Sequence, residues 1–77
     1  MTTSQMKALP RGKYLIRCKE RTLISAAANG HSLLWPSCEA ISDGAWVTFV
    51  RDGKEIYRSN AVYAAAHFEA ELLAQKG

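Results

Sequence analysis

Residues 45–62 read AWVTFVRDGKEIYRSNAV, and the fold turns on how this stretch is divided. The segment AWVTFV is dense in aromatic and β-branched side chains, which suit a pleated, half-buried strand. Asp52-Gly53 supplies the two positive-φ residues that a type I′ turn needs, and EIYRS then returns as a second strand. Pairing Arg51 with Lys54 sets Phe49 opposite Ile56 and Thr48 opposite Tyr57. Just beyond, Asn60 stands where its side-chain oxygen can accept from a free first-turn amide, so a helix is predicted from Ala61 to about Gln75.

Working back toward the N-terminus, Ser42-Asp43-Gly44 is a turn. The two-residue alternation from Lys13 puts Tyr14, Ile16 and Cys18 on one side of a strand and Leu15, Arg17 and Lys19 on the other. Between these, TLISAAANG has two readings. Thr22 can cap a short helix closed by Gly30, or the chain can run extended and turn at Asn29-Gly30. We take the extended reading, with His31 to Trp35 returning as a strand that Pro36 ends. Residues 1–12 carry no periodicity and read as a mobile basic arm, with residues 13–77 as a single domain. The expected fold class is α+β: an antiparallel sheet of three or four strands packed on one C-terminal helix.

Along that helix, Ala61, Ala65, Phe68 and Leu72 form one stripe and Val62, Ala66 and Leu73 another. Tyr63, His67 and Glu71 align on the opposite side as an exposed row. Glu69 falls between the stripes and is expected at a boundary or against Arg17 or Arg58.

Composition bounds function. The chain has 77 residues, 48% hydrophobic and 22% charged, and so short a domain buries only about 60% of its unfolded surface, which argues against a deep enclosed active site. No apolar run reaches the ~18 residues needed to cross a bilayer, and the cytoplasm is the expected compartment. Cys18 and Cys38 read as free thiols there, with a single disulfide as the alternative. Cys18, His31, Cys38 and His67 are zinc-ligand types, but they lack the close pairs that hold two ligands on one turn. A nucleophile at Cys18, Cys38 or Ser37 with His31 or His67 has no third orienting group in the pattern. We expect no enzyme activity, no metal and no cofactor. In the bland reading Cys18 is a small strand residue, Cys38 a loop thiol and the histidines surface groups.

The formal charge of +3 is unevenly placed. Residues 1–30 hold six cations against Glu20, whereas residues 31–77 hold four against six acids. The basic face Lys13, Arg17, Lys19 and Arg21, with Lys54 at the hairpin tip, predicts electrostatic docking on nucleic acid. The alternative partner is a host protein, occupied through Trp35, Trp46, Tyr57, Tyr63 or His67 as anchors. Either partner is compatible with a monomer or a homodimer.

The passage FVRDGKEIYRSNAV, residues 49–62, resembles the wing of phage excisionases and related MerR-like winged-helix proteins. Asp52, Gly53, Lys54, Tyr57 and Ala61-Val62 carry that resemblance. It implies a winged helix-turn-helix as the alternative fold, with DNA as ligand. Pro36 would interrupt the groove-reading helix, so the sheet-and-helix fold is preferred. Strands followed by an alanine-rich helix also resemble the double-stranded-RNA-binding fold. In size and style the chain is similar to small phage-encoded accessory proteins, including anti-CRISPR inhibitors, and an accessory or regulatory role of that kind is the expectation.

Overall fold

The computed structural model describes residues 7–74. The chain runs β1 (Gly12–Cys18), α1 (Leu23–Ala28), a 3-10 turn (Ser32–Leu34), β2 (Ser37–Ser42), β3 (Trp46–Arg51), β4 (Lys54–Asn60), α2 (Ala61–His67) and β5 (Phe68–Ala74). The strands form one sheet in the order β4-β3-β2-β1-β5, antiparallel at every pairing. The domain is α+β as expected, but the sheet has five strands rather than three or four. Among the described residues no helix is long and apolar enough to cross a membrane.

The β3–β4 hairpin forms at Asp52 (φ 55°) and Gly53 (φ 78°), and Arg51 lies opposite Lys54. Beyond the turn the register departs from the expected one. Val50 stays opposite Glu55, and a bulge between Val50 and Phe49 then sets Phe49 opposite Tyr57 and Thr48 opposite Arg58. A regular ladder would turn Tyr57 away from the core. The extra residue instead lets its ring meet Phe49 edge-on, with centroids 5.3 Å apart, so aromatic packing outweighs ladder regularity.

Residues 22–30 take the helical alternative, not the extended one. The Thr22 hydroxyl accepts from the Ser25 amide at 3.1 Å, which satisfies a free first-turn donor, and Gly30 follows with φ 78°. His31–Trp35 is correspondingly a 3-10 turn and not a strand. Pro36 precedes β2 rather than ending a strand, and its carbonyl accepts from the Cys18 amide at 3.0 Å. The turn is held by Arg51, whose guanidinium donates to the carbonyls of Leu33 at 2.8 Å and Ser37 at 2.7 Å.

Asn60 caps α2 through its Oδ1, which accepts from the Tyr63 amide at 2.7 Å. The helix then stops at His67, well short of Gln75, because Phe68 is extended (φ −130°, ψ 157°). The physical reason is the free edge of β1. A continued helix would leave β1 unpaired on that side, whereas β5 sets Phe68 opposite Cys18 and Ala70 opposite Ile16. This buries Phe68 to 2% exposure while satisfying the ladder.

α2 and the 3-10 turn pack on one face of the sheet, with α1 against the 3-10 turn, over a core of Tyr14, Ile16, Leu34, Ala40, Val47, Phe49, Ala61, Ala64 and Phe68. Of the expected arm, residues 1–6 fall outside the described residues. Leu9 is buried, its amide donates to the Ala61 carbonyl at 2.9 Å and its carbonyl accepts from the Ser42 hydroxyl at 2.8 Å. The Cα trace spans 34 × 32 × 17 Å, a slab about one sheet and one helical layer thick. Phe49→Ala should cost about 3–5 kcal/mol in urea unfolding, while Ile24→Ala, at a side chain 82% exposed, should stay within ~0.5 kcal/mol of wild type.

Candidate functional site

Among the described residues, nothing covers the face of the sheet opposite α2. Strand alternation and register place on it Lys13, Leu15 and Arg17 of β1, Glu39 and Ile41 of β2, and Trp46, Thr48 and Val50 of β3. Glu55 and Arg58 of β4 and Glu69 and Glu71 of β5 complete it. Leu15, Ile41 and Val50 are half-buried in the centre. Trp46 stands at 53% exposure beside them. A depression of about 600 Å³ lies at the far end of β3 from Trp46, lined by Lys13, Leu15, Glu39, Ile41, Val50 and the residues of the β3–β4 turn.

Charges on this face alternate in sign: three cations, Lys13, Arg17 and Arg58, against four carboxylates, Glu39, Glu55, Glu69 and Glu71. Lys13 Nζ lies 3.5 Å from Glu39 and Arg17 3.6 Å from Glu71. Glu69 lies directly opposite Arg17 in the ladder, as expected, while the ion pair of Arg17 is with Glu71. Of the other cations in the expected nucleic-acid set, Lys19 donates to the Ala66 carbonyl at 3.0 Å, which ties it to the end of α2. Arg21 and Lys54 are exposed at the same end of the sheet, among Glu20, Asp52 and Glu55. The five are not gathered into an uninterrupted positive track.

The aromatic set is also dispersed. Trp35 is half-buried, and Tyr57 packs on the core side against Phe49. The expected row Tyr63, His67, Glu71 does not exist as one surface, because the helix ends at His67 and Glu71 belongs to β5. Tyr63 is half-buried with His67 stacked on its ring at 4.2 Å. Trp46 is the member of the set that faces solvent on the open sheet. A separate exposed apolar group, Leu23, Ile24 and Leu33, lies on α1 and the 3-10 turn.

Beneath the helices is a polar chain that sequence reading did not assemble. His31, expected at the surface, is 2% exposed. Its Nδ1 lies 3.0 Å from Glu20 Oε2 and its Nε2 lies 2.7 Å from the Tyr63 hydroxyl. The Asn29 amide donates to the same carboxylate oxygen at 2.7 Å. A neutral ring with the proton on Nδ1 would donate to Glu20 and accept from Tyr63, satisfying both nitrogens. Asn29 and the backbone amide of Glu20, with the imidazole beside it, hold this carboxyl below the usual carboxylate range. Burial, then the neighbouring Tyr57 and Glu20, pushes the Tyr63 phenol up, so it stays protonated at neutral pH. That makes the chain a poor source of a nucleophile and a good cross-link between the loop before α1 and α2. The one sequence clue was Glu20 itself, the lone acid in a basic run.

Cys38, expected in a loop, lies in β2, where burial above all pushes its thiol up to about 11. Cys18 is half-buried in β1 and also raised, chiefly by burial and then by Glu20. Both are free thiols with little thiolate character. Among the described residues no three His, Cys, Asp or Glu side chains are grouped to hold a metal ion. Comparison with known proteins finds no matching family, no matching curated protein and no matching solved structure.

Two carboxyls are held low in the folded chain, Glu20 as above and Asp43, which accepts from the Trp46 and Ala45 amides. A depressed folded value adds stability above the unfolded value, and that stability is lost as pH falls through the folded one. The urea midpoint should be level above about pH 5 and fall below about pH 4. In Glu20→Gln the acid fall should be shallower and the neutral-pH midpoint lower. Tyr63→Phe, which strips His31 Nε2 of its partner, should cost about 1–3 kcal/mol in the same measurement.

Proposed function

We propose that this protein is a small non-enzymatic accessory protein that docks on another polypeptide through the open face of its sheet. The observation that carries this reading is the combination on one uncovered face of an exposed Trp46, a half-buried apolar centre and alternating charges. Protein interfaces are built in this way, with an aromatic anchor near an apolar middle and a polar rim. A phosphate track would instead need cations in excess, and on this face carboxylates outnumber them.

Nucleic acid is the competing partner, through Lys19, Arg21 and Lys54 at the strand ends. Those cations stand among acids, and Lys19 is engaged with the Ala66 carbonyl. Little of the phosphate's counterion release would be matched by free positive charge.

The two partners separate in a photocrosslinking experiment. A benzophenone amino acid in place of Thr48, on the open face, should yield adducts with polypeptide, and the same group in place of Ile24 should not. Duplex DNA and RNA titrated at low salt should give no saturable binding. Adducts arising only from position 24 would move the docking surface to α1. Saturable, steeply salt-dependent affinity for a duplex, lost in Arg17→Glu with Lys19→Glu, would replace the polypeptide by nucleic acid.

A further inference from the structure

The open face carries both a projection and a recess. Trp46, at the first position of β3, stands out from it. The depression at the opposite end of the same strand is lined by Leu15, Ile41 and Val50 together with Lys13, Cys38, Glu39 and the β3–β4 turn. Trp46 and Val50 are four residues apart along β3, or about 13 Å at the rise of an extended strand. An aromatic knob and a hole on one face are what an isologous interface requires, since in a two-fold dimer residue i meets residue j and j meets i.

We propose that the partner of the open face is a second copy of this chain. The copies would pack face to face about a two-fold axis that lies between the sheets and crosses β3 at Thr48. Thr48 is midway between Trp46 and Val50, so that axis carries the Trp46 of each copy onto the depression of the other. This inference rests on the docking reading above and names its occupant.

Charge and size both agree with a second copy. The axis runs along the row Arg58, Thr48, Ile41 and Lys13, and the pairing of Lys13 with Glu39 and of Arg17 with Glu71 within each chain reduces the repulsion between like cations there. The rim still offers both signs to the partner. The slab is 34 × 32 Å in its long dimensions, and a standard interface takes about 800 Å² from each partner, so the contact would use the whole open face. Stacking two such sheets would bury the apolar centre as the inner layer of a sandwich.

Sedimentation of the full chain decides the matter, together with two variants that break the contact from opposite sides. The wild type should sediment as a dimer of the 8.5 kDa chain at high micromolar concentration. Trp46→Ala, which keeps the hole and loses the knob, should dissociate at least about tenfold more readily. Val50→Arg, which keeps the knob and fills the hole, should do the same. An equimolar mixture of the two should regain association, because one knob-in-hole contact is intact in the mixed dimer and none in either homodimer.

Thr48→Cys offers a reading that does not depend on the folding of those variants. With Thr48 on the axis and stacked sheets about 10 Å apart, a bis-maleimide of about that span should link the Thr48→Cys chain into a dimer faster than it links Ile24→Cys. A monomeric wild type at that concentration overturns the proposal, as does failure of the folded variants to complement each other or faster crosslinking from position 24. A monomeric wild type whose Thr48 photoadducts contain a different polypeptide overturns the second copy and leaves the docking surface standing. A monomer with no polypeptide adduct from Thr48 removes both.

Discussion

The backbone ladder between β1 and β5 joins residues about fifty positions apart in the chain, with Cys18 opposite Phe68 and Ile16 opposite Ala70. Closing so long a loop costs conformational entropy, and local propensity does not repay it. The return comes from burial: Ile16 and Phe68 are essentially inaccessible, and the edge of β1 gains partners for its amides and carbonyls. Other placements follow from this pairing. Phe68 comes beneath His31 with ring centroids 4.6 Å apart, Lys19 reaches the Ala66 carbonyl, and Glu71 arrives beside Arg17.

The same pairing limits what the helices can do. With residues 68–74 spent on a strand, α2 keeps seven residues and α1 six, and both are used on one side. A sheet of five strands presents more surface than two such helices can cover twice over, so among the described residues one face carries no second layer. The polar chain Glu20–His31–Tyr63 belongs to the covered side and locks the helical layer to the loop before α1. Its buried ring is tolerable because each nitrogen meets a partner. Its consequence for function is indirect: it fixes which face is closed and therefore which is open.

The parts of this fold legible in the sequence are those decided within a few residues. Asp52-Gly53 demands a turn wherever it occurs between strands, Asn60 caps a helix with its own side chain, and the alternation of Tyr14, Ile16 and Cys18 selects a buried face. Elsewhere the local signal was degenerate. Phe68, Ala70 and Leu72 alternate with Glu69, Glu71 and Leu73, which is a strand pattern. Yet Phe68 and Leu72 are also one helical turn apart, and the run of alanines favours helix. A partner fifty residues upstream broke the tie, and nothing in the segment names that partner. Thr22 and Gly30 likewise serve a helix or a hairpin equally well. The bulge before Tyr57 was invisible because either register buries an apolar residue over Phe49. Of the candidate site, Trp46 was legible as an anchor, whereas the pairing of Lys13 and Arg17 with acids required the register of three strands.

A sequence pI near 9.1 counts charges without regard to position, but attraction to a polyanion depends on cations that act together within a Debye length, about 8–10 Å. On the open face each strand cation with a carboxylate neighbour presents a dipole and not a free charge. A phosphate arriving at Arg17 would have to compete with Glu71 and would gain only the difference between the two contacts. Among the described residues, Arg21 and Lys54 lie at one end of the sheet and Arg11 near the other, so the three do not form one patch. Net positive charge in this molecule then works mainly against indiscriminate association, which is what a chain with an uncovered apolar sheet face needs if that face is to meet one partner and not many.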